Sequence, residues 1–125
     1  MERDAVIVAG FGCRAAVDIT SLHDALAAAW AGKPVSALAA PADRCPLVEP
    51  LARALGVPLI AISPDRIGAA DTPTRSPVSL HRRGTGSVAE AAALAAAGPD
   101  ARLIVTRHIS SDAMATCAIA EGPSS

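Results

Sequence analysis

The sequence predicts an α/β fold: a three-layer α/β/α sandwich around a mostly parallel sheet of about five strands, whose last two strands can close as an antiparallel hairpin. Three observations predict it. A continuous apolar run, Ala5-Val-Ile-Val-Ala-Gly10, stands near the start and reads as a strand buried on both faces. Alanine-rich segments of helical length follow it and recur before the last strands. Apolar strands joined by helices must run parallel, through right-handed crossovers. The 125 residues are read as a single domain spanning 1–125, with no internal repeat. A chain of this length buries roughly two-thirds of its unfolded surface and needs no covalent staple.

The elements follow in order. Residues 22–30 form an alanine-rich helix; Ser21-Leu-His-Asp24 has the form of a capping box, and Gly32 with Pro34 stops it. Residues 35–40 are a second strand, closed by Pro41. Residues 47–55 are a helix that begins near Pro46, ends at Gly56, and restarts or kinks at Pro50. Pro58-Leu-Ile-Ala-Ile62 is a third strand. From 63 to 86 the character changes, with Pro64, Pro73, Pro77, Gly68, Gly84 and Gly86 as punctuation. A short helical turn fits 64–67, and an edge strand fits Pro77-Val-Ser-Leu80. Loops this long in a small domain are functional or mobile as a rule. Ser87-Val-Ala-Glu90 is a capping box that opens a helix over 91–97, and Gly98-Pro99 stops it. Arg102-Leu-Ile-Val-Thr106 is the fourth strand, 115–120 a half-buried fifth, and 122–125 a fraying tail.

Composition excludes several classes. With 51% hydrophobic and 18% charged residues, long disorder is not expected. Aromatics are 2%, Phe11 and Trp30, so there is no platform for stacking bases. A formal net charge of -1 leaves no basic footprint, and no nucleic-acid partner is expected. The opening Met-Glu-Arg-Asp is charged and the apolar run after it is too short for a signal or a membrane span, so no membrane partner is expected either. The three cysteines, Cys13, Cys45 and Cys117, are odd in number, widely spaced and free of any CxxC. That pattern indicates no disulfide framework and no zinc or other metal site, and it suits a reducing, cytoplasmic setting.

Candidate functional residues gather at strand ends. Gly10-Phe-Gly12-Cys-Arg-Ala15 matches G-x-G-x-x-[GA] in form. A dinucleotide site needs the third position to open a helix, whereas the helix here starts several residues later, near Ser21. The better readings are a tight glycine turn without a ligand, or one whose backbone amides and Arg14 face another anion. Arg14, Arg44 and Arg107 each follow a predicted strand, at the edge where open parallel sheets bind ligands. Guanidinium groups there suit a molecule with several carboxylates, because the planar fork donates paired hydrogen bonds. Ser87 and Glu90 behind Gly86 read first as a helix cap, and a capped N-terminus can also hold an anion. Arg82 and Arg83 are weaker candidates, since neighbours in an extended segment point opposite ways. His23 reads as a surface residue, and His81 with His108 as no metal pair. Cys13 is expected to be inert. For proton transfer the candidates are His108, Glu90 and Asp43. The binding candidates are Gly10, Gly12, Cys13, Arg14, Asp43, Arg44, Gly86, Ser87, Glu90 and Arg107. No Ser-His-Asp set, HExxH or P-loop occurs, so the residues point to a binding crevice more clearly than to catalytic machinery.

Four segments also resemble a known family. Gly10-Phe-Gly12-Cys13-Arg14 resembles the G-[IVF]-G-C-R signature of the CobE / CbiG C-terminal domain family of cobalamin biosynthesis. Gly86-Ser-Val-Ala-Glu90-Ala-Ala-Ala-Leu94 resembles its SV-[AS]-EAAAL helix start, and Ala115-Thr-Cys-Ala-Ile-Ala120 its TVAIA final strand. Leu38-Ala-Ala-Pro-Ala-Asp43-Arg44 resembles its LAS-x-D-x-K turn, with Arg44 in place of lysine. The segments occur in order across almost the whole chain. A chain that is one such domain is closer to the stand-alone CobE type than to CbiG, which has additional N-terminal regions. The resemblance implies a role in building the corrin ring by the aerobic route, with a precorrin intermediate as ligand and no cofactor. It leaves three roles open. One is an accessory or carrier domain that binds the intermediate. Another is an enzyme assisting ring contraction or precorrin-5 deacylation, by analogy with CbiG, which opens a δ-lactone on cobalt-precorrin-5A and releases acetaldehyde. The third is a scaffold for the methyltransferases among the other pathway enzymes.

Overall fold

The computed structural model describes residues 6–31, 33–69 and 87–122. Strand β1 (Val6–Cys13) is the centre of a sheet ordered β3-β2-β1-β5-β4. Its partners are β2 (Ala37–Pro41), with β3 (Leu59–Ile62) beyond it, and β5 (Ala115–Gly122), with β4 (Arg102–Ile109) beyond that. The β1/β2 and β2/β3 pairings are parallel, and the β1/β5 and β5/β4 pairings antiparallel. Among the described strands four therefore share one direction, and β5 is reversed. The predicted terminal hairpin is β4–β5.

Alternation along the strands builds two cores. Ala9 and Phe11 of β1, Leu38 and Ala40 of β2, and Cys117 and Ile119 of β5 meet helices α1 (Ile19–Trp30) and α2 (Cys45–Leu55) through Leu22, Ala25, Val48 and Leu51. On the opposite face Val8, Ala39 and Ile62 meet α3 (Pro64–Ala69) and α4 (Val88–Ala97) through Ile67, Ala91 and Ala92. The result is the three-layer sandwich. The predicted edge strand at 77–80, the helix stop at Gly32 and most of the proline-rich stretch lie outside the described residues.

Where α4 crosses β1 and β5 the second core is made of small residues, and this overturns the glycine turn. Gly10 and Gly12 are inside β1, which pairs with β5 without a break from Val6↔Gly122 to Cys13↔Ala115. Their spacing of two puts both on the face that carries α4. A Cβ on Gly10 would lie 2.2 Å from the carbonyl oxygen of Ala89 and 2.4 Å from the amide nitrogen of Ala93. One on Gly122 would lie 2.1 Å from the carbonyl oxygen of Ala97. The missing side chains let helix backbone rest against strand backbone. The glycine pattern thus reports helix–sheet contact, and the backbone amides expected to face a ligand belong to the ladder.

Other boundaries moved for local reasons. Helix α1 starts earlier than expected because Asp18 is its N-cap, accepting from the amide of Ser21 at 3.0 Å. Helix α2 opens at Cys45 with Pro46 in its first turn, runs through Pro50 on its exposed side, and ends on Gly56 in the left-handed region (φ 70). Strand β4 reaches Ile109, three residues beyond the apolar run, because β5 supplies partners as far as Thr116↔Ile109. Its register slips twice, between Leu103 and Val105 and between Val105 and His108.

The Gly10 contact sets a test. Gly10→Ala forces two backbones apart and should cost about 3 kcal/mol, at the upper end for overpacking. Gly56→Ala has open space around its Cβ and should cost only about 1 kcal/mol, for the left-handed backbone. Urea unfolding of both variants checks the ranking.

Candidate functional site at the carboxyl edge of the sheet

Because β5 is reversed between β1 and β4, strands β1, β2, β3 and β4 end at one edge. Helices α1, α2 and α4 begin there. Arg14 is the first residue past β1 and is exposed; its amide donates to the carbonyl of Met114 at 2.9 Å and its Nε to that of Ala113 at 3.3 Å. Arg44 closes the short 3-10 turn after β2, Ala42–Arg44. Its Nε donates to the carbonyl of Cys13 at 3.1 Å, so it leans across the end of β1 beside Arg14. Both arginines are fastened through Nε, and among the described residues their terminal nitrogens have no hydrogen-bond partner. Asp43 is exposed in the same turn. Burial first, and then the negative charge of Asp43, push the Cys45 thiol up, away from thiolate chemistry. Burial does the same to Cys117.

Across the edge, Ser87 is the N-cap of α4, its Oγ accepting from the amide of Glu90 at 3.3 Å. Glu90 does not complete the box in the usual way. It is fully buried, and its Oε2 accepts from the amide of Arg107 at 2.8 Å. That donor lies within the second register slip of β4. A carboxylate in the first turn of a helix is favoured by the helix dipole, and here it ties α4 to the sheet. Arg107 is half-buried and His108 exposed, both within β4 rather than after it. His108 is level with Phe11 across the sheet, through Cys117.

The structure thus brings Cys13, Arg14, Asp43, Arg44 and Ser87 to one edge, while Arg107 and His108 lie further in along β4, His108 level with Phe11, and Glu90 reaches the Arg107 amide there. Gly10 and Gly12 lie beneath α4 instead, and Gly86 is outside the described residues. An open groove of roughly 660 Å³ starts at Ala42 and Cys45, beside Arg44, and runs along α2 and β3 by Glu49, Arg53 and Leu59; none of the three arginines lines it. Among the described residues no three His, Cys, Asp or Glu side chains converge as metal ligands, and no helix is long and apolar enough to cross a membrane.

Sequence reasoning missed the turn that joins β4 to β5. Asp112 accepts from the hydroxyl of Ser21, from that of Ser110 at 2.6 Å and from the amide of Met114 at 3.1 Å. Asp24 accepts from the amide and hydroxyl of Ser111, at 2.8 and 2.9 Å. The signal was Ser110-Ser-Asp112 between two strands, residues whose short polar side chains bond nearby backbone. These hydrogen bonds hold both carboxyl groups below their ordinary range, Ser111 being the main cause for Asp24 and Ser110 for Asp112.

The family described as cobalamin synthesis G C-terminus matches residues 7–120. The chain belongs to that family. Among solved structures, CobE, a protein from the cobalamin (vitamin B12) biosynthetic pathway, superposes with a TM-score of 0.86 at 28% identity, covering 100% of this chain and 96% of that one. Cobalamin biosynthesis protein chiG from Agrobacterium tumefaciens str. C58 gives 0.72 at 33% identity, covering 95% and 100%. A cobalamin biosynthesis protein G homologue from Sulfolobus solfataricus gives 0.75 at 21% identity, covering 97% of this chain and 38% of that one, a likeness of fold. No curated protein matches the chain by sequence. This member of the CobE / CbiG C-terminal family is a cobalamin-biosynthesis protein.

The turn gives a pH prediction. A carboxyl group depressed by folding stabilises the native state above its unfolded value, and that stability is lost as pH falls through the depressed one. Protection of the Ser111 and Met114 amides from hydrogen exchange should therefore fall as pH drops below about 4. Asp112→Asn should weaken that dependence at Met114. Exchange measured from neutral pH into acid checks both.

Proposed function

We propose that the carboxyl edge binds a polycarboxylate corrinoid, a precorrin intermediate of the aerobic route, and that the chain serves as an accessory or carrier domain acting without a cofactor in the cytoplasm. The observation that carries this reading is the pair Arg14 and Arg44. Each is moored by Nε to a main-chain carbonyl at neighbouring points of the edge, which orients its terminal nitrogens for a carboxylate at little further entropic cost. The start of α4 at Ser87 adds the positive end of a helix dipole. Arg107 extends the basic character across β4. A ligand with acetate and propionate arms on its rim matches several separated guanidinium groups better than one anion would.

An enzymatic role in ring contraction or deacylation needs a group that exchanges protons with the ligand. Glu90 is buried against β4, so the exposed His108 in β4 and Asp43 after β2 are the groups for such a role. The other pathway enzymes are the protein partners this reading expects, as donors or receivers of the intermediate.

Calorimetric titration with cobyrinic acid, a corrin bearing free peripheral carboxylates, tests the proposal against its methyl ester. The acid should bind and the ester should not. Arg14→Ala and Arg44→Ala should each weaken binding about tenfold or more, the scale of a lost charge-assisted hydrogen bond, while Arg53→Ala, in the last turn of α2, leaves it unchanged. Equal affinity for acid and ester, or indifference to both arginine changes, overturns the reading. Incubation with precorrins followed by mass analysis separates carriage from catalysis: unchanged masses support a carrier, and a His108-dependent mass change supports an enzyme.

A further inference from the structure

We infer that Asp112 and Asp24 are positioning residues that set Arg14 for anion binding, acting through the turn between β4 and β5. The inference rests on the carboxyl edge being the binding site. Ser21 and Asp24 are three apart on α1 and so share a face. From that face the turn is held at two points: Ser21 donates to Asp112, and Asp24 accepts twice from Ser111. Asp112 also gathers the turn on itself through Ser110 and Met114. Neither carboxylate is needed for what surrounds it. Helix α1 already has its cap in Asp18, and the hairpin is already closed by the Ser110 amide on the carbonyl of Ala115 at 2.8 Å. What the two carboxylates fix is the direction of the next carbonyls, those of Ala113 and Met114, which hold the Nε and amide of Arg14. Ala113 has φ 61, the left-handed region, which a residue with a Cβ adopts only when its surroundings impose it. The strained residue is the one whose carbonyl receives Arg14.

Charge alone argues the opposite way. Two carboxylates near an anion site repel an anion, so removing one should tighten binding if electrostatics were its only effect. Positioning predicts weaker binding. Calorimetry with cobyrinic acid on wild type, Asp112→Ala, Arg14→Ala and the double variant reads the difference. Asp112→Ala should bind about fivefold more weakly, a coupling typical of residues in one hydrogen-bond network. In the Arg14→Ala background it should cause no further loss. Asp112→Asn, whose amide oxygen can still accept from Ser110 and Met114, should restore most of the affinity. Asp24→Ala supplies the same cycle should Asp112→Ala fail to fold. Unchanged or tighter binding by the alanine variants, or an equal loss in both backgrounds, overturns the positioning role and leaves the edge standing. No binding by wild type removes both, and no loss in Arg14→Ala removes the positioning role.

Discussion

The architecture depends on one contact, the seating of α4 on β1 and β5 without side chains between them. At Gly10 and Gly122 helix and strand backbones approach so closely that a single added carbon would collide with a carbonyl oxygen. Dense packing of this kind exchanges large apolar groups for many short-range contacts. It explains how a chain with 30 alanines and 2% aromatics can have a close-packed interior. It also fixes where α4 begins. With Ala89 and Ala93 over Gly10, and Val88 over Gly12, the Ser87 cap has to lie at the end of β1.

From that placement the edge follows. Glu90, one turn into α4, reaches the amide of Arg107 in β4; Arg44 crosses from β2 to the end of β1; Arg14 is held by the β4–β5 turn. Arg14 and Arg44 are thus held by main-chain carbonyls at the end of the sheet, and the Arg107 amide is engaged further in along β4. The edge is accordingly a rigid frame that carries flexible-looking side chains in restricted positions, an arrangement suited to holding a ligand at several points.

Much of this was legible in the sequence, and the failures have physical causes. The apolar runs gave β1 to β5 and the capping residues gave α4, because periodicity and caps are local properties. Arg14 and Arg44 were legible as edge residues for the same reason: each follows a strand. Gly10 and Gly12 were misread because a glycine pair after an apolar run has two explanations, a turn or a close neighbour, and only the distant Ala89 decides between them. Glu90 looked like half of a capping box, since its true partner, Arg107, is in a strand distant in sequence. Asp18 displaced Ser21 as the cap of α1, because Ser21 is recruited by Asp112 from the far end of the chain. The missed residues share this property: their roles arise from tertiary hydrogen bonds between segments that no local pattern connects.

The two register slips of β4 have a bearing on how the molecule behaves among its own copies. Among the described residues β4 is an outermost strand; Leu103, Ile104 and Val105 are half-buried, and Ile109 is 51% exposed. A straight border of that character would be a template on which another chain could zip up. Each extra residue bends the strand and breaks the even row of donors and acceptors, and natural sheets blunt their margins in this way. The irregularity that leaves the Arg107 amide to Glu90 therefore also makes this margin a poorer template for a second chain.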